Sequence, residues 1–217
     1  MTEHLQRDLQ TLSRELLRMG ALVEEATNRA ITAFLERKKS LAREVIDGDN
    51  AINEKENVIE EEALKVLALH QPVAGDLRFI ITALKVNNDL ERMGDLAANI
   101  CERVLALAKT GPVPVPDNFD ELVRCVHEMV RDSLNALVNR DAALARHVTD
   151  VDDRVDEMNR EVFRRMKEQI KTSPEQVDAA VSTASVSRHL ERIADLATNI
   201  AEDVVFMVEG VIVRHNL

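Results

Sequence analysis

One segment of this chain occurs twice. Leu90-Glu-Arg-Met-Gly-Asp-Leu-Ala-Ala-Asn-Ile100 aligns without a gap on Leu190-Glu-Arg-Ile-Ala-Asp-Leu-Ala-Thr-Asn-Ile200, with changes only at Met93/Ile193, Gly94/Ala194 and Ala98/Thr198. A weaker match joins Asp49-Asn-Ala-Ile-Asn53-Glu54 to Asp152-Asp-Arg-Val-Asp156-Glu157. Both pairs fall at corresponding places in the two halves, and shared helix composition could not place charged residues so consistently. A chain built this way is expected to fold as one unit made twice.

The unit is helical. Leu5, Leu9, Leu12, Leu16, Met19, Val23, Ala26, Ala30 and Ala33 recur at spacings of three and four, a helical seam. A polar patch at 37–40 ends or bends it. A second helix is expected from about Leu41, carrying Val45, Ile52, Ile59 and Val66, with Pro72 as its stop. A third runs from Ala74 to about Ala108. Three alternating prolines make residues 110–118 a stiff linker. The plan then repeats: a helix from about Asp117 to Asn139, one capped by Asp141 and ending near Thr172, and one running to about Glu209. Ser173-Pro174-Glu175-Gln176 reads as a capping box for the last helix. The fold class is all-α, two tandem, pseudosymmetric three-helix bundles, over residues 1–109 and 119–217.

Bulk properties narrow the function. Among 217 residues Trp and Tyr are absent and five are Phe, so Leu, Val, Ile, Ala and Met must build the core. A net charge of -11 argues against nucleic acid, which needs a basic face, and against a bare anionic membrane. No apolar run is long enough to cross a bilayer, so membrane association would be indirect. Cys101 and Cys125 form no CxxC and read as reduced structural thiols of a cytoplasmic protein.

The doubled segment carries the chemistry. Glu91, Asp95 and Asn99 follow one another at four-residue steps and share a helix face, and so do Glu191, Asp195 and Asn199. Leu90, Met93, Ala97, Ile100 and Val104 line roughly the opposite face. Glu and Asp four apart repel unless something positive sits between them. Arg92 and Arg192 could fill that role, and so could a hard cation, which prefers several oxygen ligands. No His follows a Glu by three residues, so the Glu-x-x-His of carboxylate-bridged di-iron bundles is missing. His127 and His189 read as surface or capping residues. No nucleophile set or phosphate loop occurs, which leaves a metalloenzyme the weakest reading and a metal-free helical interaction protein a stronger rival.

These residues resemble the PhoU family, the regulators that accompany phosphate-specific ABC transporters. Met19-Gly20 followed by Leu22-Val23-Glu24, Pro72-Val-Ala-Gly-Asp-Leu-Arg78 and the doubled Leu-Glu-Arg-x-[Gly/Ala]-Asp-Leu-Ala-x-Asn-Ile carry the likeness. The resemblance implies two similar three-helix bundles and metal held by pairs of [Glu/Asp]xxxAsp motifs, with iron, zinc, manganese or magnesium as candidates. It implies a non-enzymatic, cytoplasmic, commonly dimeric negative regulator of the phosphate-starvation response. Such a regulator would link the transporter's ATPase subunit to a PhoR-type histidine kinase. Two departures stand out. Asp49-x-x-x-Asn53 ends in an amide, and Leu77-Arg78 has no counterpart near Val177-Asp178, so contacts through Arg78 should belong to the first half only.

Pairing follows from helix geometry. Ile52 and Met93 both lie about 20 residues from the turn at Pro72, and Val155 and Ile193 stand in nearly the same relation to Ser173, which at ~1.5 Å per residue puts each pair level. Asp49 and Asn53 should therefore face Glu91 and Asp95, while Asp152 and Asp156 face Glu191 and Asp195. With Asn99 and Asn199 these are the candidate metal ligands. The second set, with four carboxylates against three, should bind more tightly.

Overall fold

A computed structural model describes residues 3–107 and 115–211. Its long helices are α1 (Glu3–Glu36), α2 (Lys39–His70), α3 (Ala74–Ala106), α4 (Phe119–Asn139), α5 (Ala142–Thr172) and α6 (Val177–Glu209). The stretch at 110–118 lies outside the described residues as far as residue 114, and so does the expected end of α3 at Ala108.

The stops act as their chemistry requires. Arg37 ends α1 in a left-handed conformation, as Gln71 ends α2 just before Pro72. Asp141 is the N-cap of α5: its Oδ1 accepts from the amides of Ala143 and Leu144, each at 3.0 Å. Gly210, at φ +72°, closes α6 with its N–H on the Phe206 carbonyl. The capping box expected at Ser173 does not form. Pro174–Gln176 make a 3-10 turn and no side chain caps it. The Gln176 side chain instead accepts from Gln169 Nε2 at 3.0 Å.

Helices α1, α2 and α3 pack mutually, as do α4, α5 and α6, giving two tandem three-helix bundles. The bundles meet where α3 lies against α6 and α1 against α4. Thus α1, α3, α6 and α4 form a four-helix centre, with α2 and α5 flanking it. The apolar core runs through all six helices without a break. Helices α3 and α6 are antiparallel, since Arg78 reaches Met207 while Lys85 reaches Asp203. Arg92 and Arg192 therefore fall close to a pseudo-twofold axis.

Close approach needs small residues. A Cβ on Gly20 would stand 2.4 Å from Leu134 Cδ1, so Gly20 lets α1 meet α4. A Cβ on Gly94 would stand 2.8 Å from Ile52 Cδ1 and 3.3 Å from Asp49 Oδ1. Gly94 thus brings α3 onto α2 at the level of the acidic residues. The expected apolar stripe is fully interior: Leu90, Met93, Ala97, Ile100 and Val104 are all buried.

Candidate metal centres on the two acidic faces

In the first half, α2 and α3 present their acidic residues to each other. Asn53 Nδ2 donates to Asp49 Oδ2 at 3.4 Å. Burial, and then the charge of Asp95, push the Asp49 carboxyl above its ordinary range. Burial also raises Glu91, followed by Asp95, Glu56 and Asp49, with Arg92 opposing. Asp49 Oδ1 and Asn53 Oδ1 are buried and accept no hydrogen bond.

In the second half the arrangement is tighter. Asp156, Glu191 and Asp195 each bring one carboxylate oxygen to within 4.8 Å of the other two. Asp152 is raised by burial first, with Asp195 and Asp156 adding to the rise and the nearby Thr198 hydroxyl opposing it. Asp195 is raised by burial and then by Asp156. Glu191 is only 7% exposed, although helical periodicity puts the apolar stripe roughly opposite it. Asp152 Oδ1 and Glu191 Oε2 are buried without a hydrogen-bond partner. Buried acceptors without donors, on carboxylates that repel one another, are what a bound cation would relieve. The donors are oxygens throughout, which suits magnesium, manganese or ferric iron better than a softer zinc site.

The arginines are not where the sequence suggested. Arg92 pairs with Asp89 at 3.5 Å rather than bridging Glu91 and Asp95. In the second half Arg188, not Arg192, donates to Glu191 Oε1 at 2.5 Å, and Arg160 reaches Asp156 Oδ2 at 3.1 Å. Asn99 and Asn199 lie beside the cluster residues Asp95 and Asp195. They line a cavity of about 280 Å³ between α3 and α6, each beside its own Arg, Asp and Leu: Arg92, Asp95 and Leu96 from one half, Arg192, Asp195 and Leu196 from the other. Asp95 and Asp195 border both the clusters and this cavity.

One residue escaped the sequence reading. Burial, then Glu60 and Asp95, push up the Glu56 carboxyl, and Glu56 in turn raises Glu91. Glu56 thus lies within electrostatic reach of Glu91 and Asp95. The register that aligns Asp49 with Asp152 aligns Glu56 with Asn159, so α2 supplies Asp, Asn, Glu where α5 supplies Asp, Asp, Asn. Carboxylate and amide have changed places, and the signal was available from the repeat. Asn159 itself is withdrawn: it is buried and accepts from Ser187 Oγ at 2.7 Å.

The histidines are also placed differently. Both ring nitrogens of His189 and Nε2 of His127 are buried without hydrogen bonds, so none of these atoms caps a helix, and both residues are half-buried as a whole. Burial holds both below the ordinary imidazole range. Cys101 and Cys125 are buried and unpaired, and burial pushes the Cys101 thiol up to about 12, which leaves it inert. Among the described residues no helix is long and apolar enough to cross a membrane.

Known proteins share this architecture. The PhoU domain model matches residues 16–104 and again 119–204. A phosphate-specific transport system accessory protein PhoU homolog of Aquifex aeolicus is 39% identical, covering 96% of this chain and 95% of that protein. The crystal structure of PhoU from Pseudomonas aeruginosa superposes with a TM-score of 0.90 at 35% identity, covering 95% of this chain and 99% of that one. The phosphate transport system regulatory protein PhoU from Streptococcus pneumoniae gives 0.90 at 29% identity over 96% and 99%. Two domain matches that fall on the two three-helix units, with relatives alike over nearly the full length, make the assignment plain: this chain belongs to the PhoU family.

Proposed function

We propose that this protein is an accessory regulator of phosphate-specific transport that restrains the phosphate-starvation response. It would do so without catalysis, as a cytoplasmic, dimeric adaptor between the ATPase subunit of a phosphate ABC transporter and a PhoR-type histidine kinase. The observation that carries this reading is the near full-length likeness to phosphate-specific transport system accessory proteins.

Metal belongs to the same proposal. Asp152, Asp156, Glu191 and Asp195 would hold one ion or cluster, and Asp49, Asn53, Glu56, Glu91 and Asp95 another. Bound metal would supply positive charge that neutralises the facing carboxylates and ties α2 to α3 and α5 to α6. The supporting feature is the set of buried, hydrogen-bond-free oxygens on Asp49, Asn53, Asp152 and Glu191. A metal-free interaction protein remains the second reading, favoured by the Arg188–Glu191 and Arg160–Asp156 pairs, which already neutralise part of the second face.

Deletion of the gene tests the regulatory role. Alkaline phosphatase and transporter expression should become constitutive in phosphate-rich medium, and the wild-type gene should restore repression. Unchanged repression in a strain without a paralogue would refute the role. Elemental analysis of protein purified without chelator separates the two readings of the acidic faces.

A further inference from the structure

The two halves differ on their outer faces as well. Between α5 and α6 runs an open groove of about 530 Å³, floored by Phe163, Met166, Ile170, Ala180, Val181 and Ala184. Lys167, Arg188 and Arg192 stand along its rim, with His189 beside them. Phe163 is 37% exposed and Val181 55%, while Phe34, Phe79 and Phe119 are buried.

The repeat supplies an internal control. At the positions of Ala180, Ala184 and Ser185 the first half has Ile80, Leu84 and Lys85, so the floor is deeper where the side chains are shorter. At the positions of Phe163, Lys167, Arg188 and His189 it has Glu60, Leu64, Asn88 and Asp89. Counting Lys85 and Arg92 as well, the same face thus changes from mixed charge, balanced by Glu60 and Asp89, to basic and aromatic. That change opposes the overall charge of -11, so it is not a by-product of composition. Arg188 shares its charge with Glu191; among the described residues Lys167 and Arg192 make no ion pair within 4.0 Å, although Arg192 acts on Asp195 at longer range.

We propose that this groove docks an acidic amphipathic helix of a partner protein. Two antiparallel helices leave a furrow that a third helix fills by ridge-into-groove packing. Apolar side chains at i, i+3, i+4 and i+7 of the partner would enter the floor, as in other helix-in-groove complexes. Its carboxylates would meet Lys167 and Arg192, giving charge complementarity that steers association and fixes polarity. From Ala180 to Arg192 the groove spans roughly 18 Å, about three helical turns. The proposal needs neither the metal centres nor the phosphate role, and it can fail or hold independently of both.

The test uses the full chain and a display library of random 16-residue peptides. Selected peptides should be net acidic with apolar residues at helical spacing. Ala184→Leu, which installs the first half's residue, should weaken them at least tenfold. Lys167→Glu/Arg192→Glu should weaken them similarly and favour basic peptides instead. Both variants should keep the wild-type Tm, and if one does not, the other alone decides. Binders without acidic bias, or binders indifferent to these changes, would overturn the proposal. So would a groove that takes only decanoate and no peptide, or one whose filling by Ala184→Leu dissolves a dimer of this chain.

Discussion

The two acidic centres began as copies and now solve one problem differently. In the first half, α2 carries Asp49, Asn53 and Glu56, and α3 closes on it through Gly94 against Ile52. In the second, α5 carries Asp152 and Asp156, three carboxylates converge within 4.8 Å, and Ala194 and Val155 occupy the positions of Gly94 and Ile52. The volume lost at one position is nearly regained at the other. Arginine also divides them. Arg188 and Arg160 reach into the second cluster, whereas Arg92 turns away from the first, to Asp89. Duplication has kept the inventory of oxygens and moved their places, so the number of carboxylates matters less than their convergence.

Metal affinity should show the largest difference. Glu191→Ala/Asp195→Ala removes two of the three convergent carboxylates, and the tighter binding event in a titration should weaken on the order of 100-fold. Glu91→Ala/Asp95→Ala should leave that event intact and abolish the weaker one. Glu56→Gln should weaken only the first-half event, by about 10-fold. If the tight event survives loss of Glu191 and Asp195, the second centre is misassigned.

The exchange of volume can be tested next. Gly94→Ala should cost about 1–3 kcal/mol by forcing Ile52 aside. Adding Ile52→Val, which rebuilds the second half's pair, should recover most of it. Denaturant unfolding of the double-mutant cycle measures the coupling, and additive losses would show that the two positions do not share space.

Arg78 offers a smaller asymmetry. Its Nε donates to the Met207 carbonyl at 3.1 Å, so a first-half side chain caps the last turn of α6. The corresponding residue in the second half is Asp178. Arg78→Ala should cost about 1 kcal/mol and speed amide exchange in the last turn of α6. Asp178→Ala should leave the end of α3 unaffected.

The smallest effect is a difference in pH response. Folding raises the carboxyls of Asp152, Glu191 and Asp195, so each binds its proton more tightly in the native chain. Such a group adds stability that is full below its unfolded pKa and lost as pH rises through the folded one. In chelator-treated protein, lowering pH from neutral toward about 4 should therefore favour folding at these sites. The half-buried His127 and His189 oppose this, since their neutral forms are favoured on folding. Comparison with Asp152→Asn/Asp195→Asn cancels the histidines. The variant should lose the acid-side gain, seen as a smaller rise in Tm relative to wild type at low pH. Saturating metal should reverse the wild-type trend, because protons then displace the ion as pH falls, and leave the variant unchanged.

Much of this was legible in the residues. Seams of Leu, Val and Ala at helical spacing, the stop at Pro72 and the Asp141 cap are local, because backbone sterics and hydrogen bonding act within a turn or two. The repeat determined that the fold would be one unit made twice, and antiparallel hairpins of equal arm length put the two acidic motifs of each half level. What lies between helices was not legible. The failed capping box at Ser173, the burial of Glu191 and the turning of Arg92 to Asp89 depend on which neighbour reaches a group first. Asn99 and Asn199 share a helix face with the acidic residues by periodicity, yet slow rotation around the helix carries them into the α3–α6 cavity. Periodicity assigns a residue to a face. Only the packing of α3 between α2 and α6 decided which helix that face would meet, because the contact is made across the core between residues far apart in the chain.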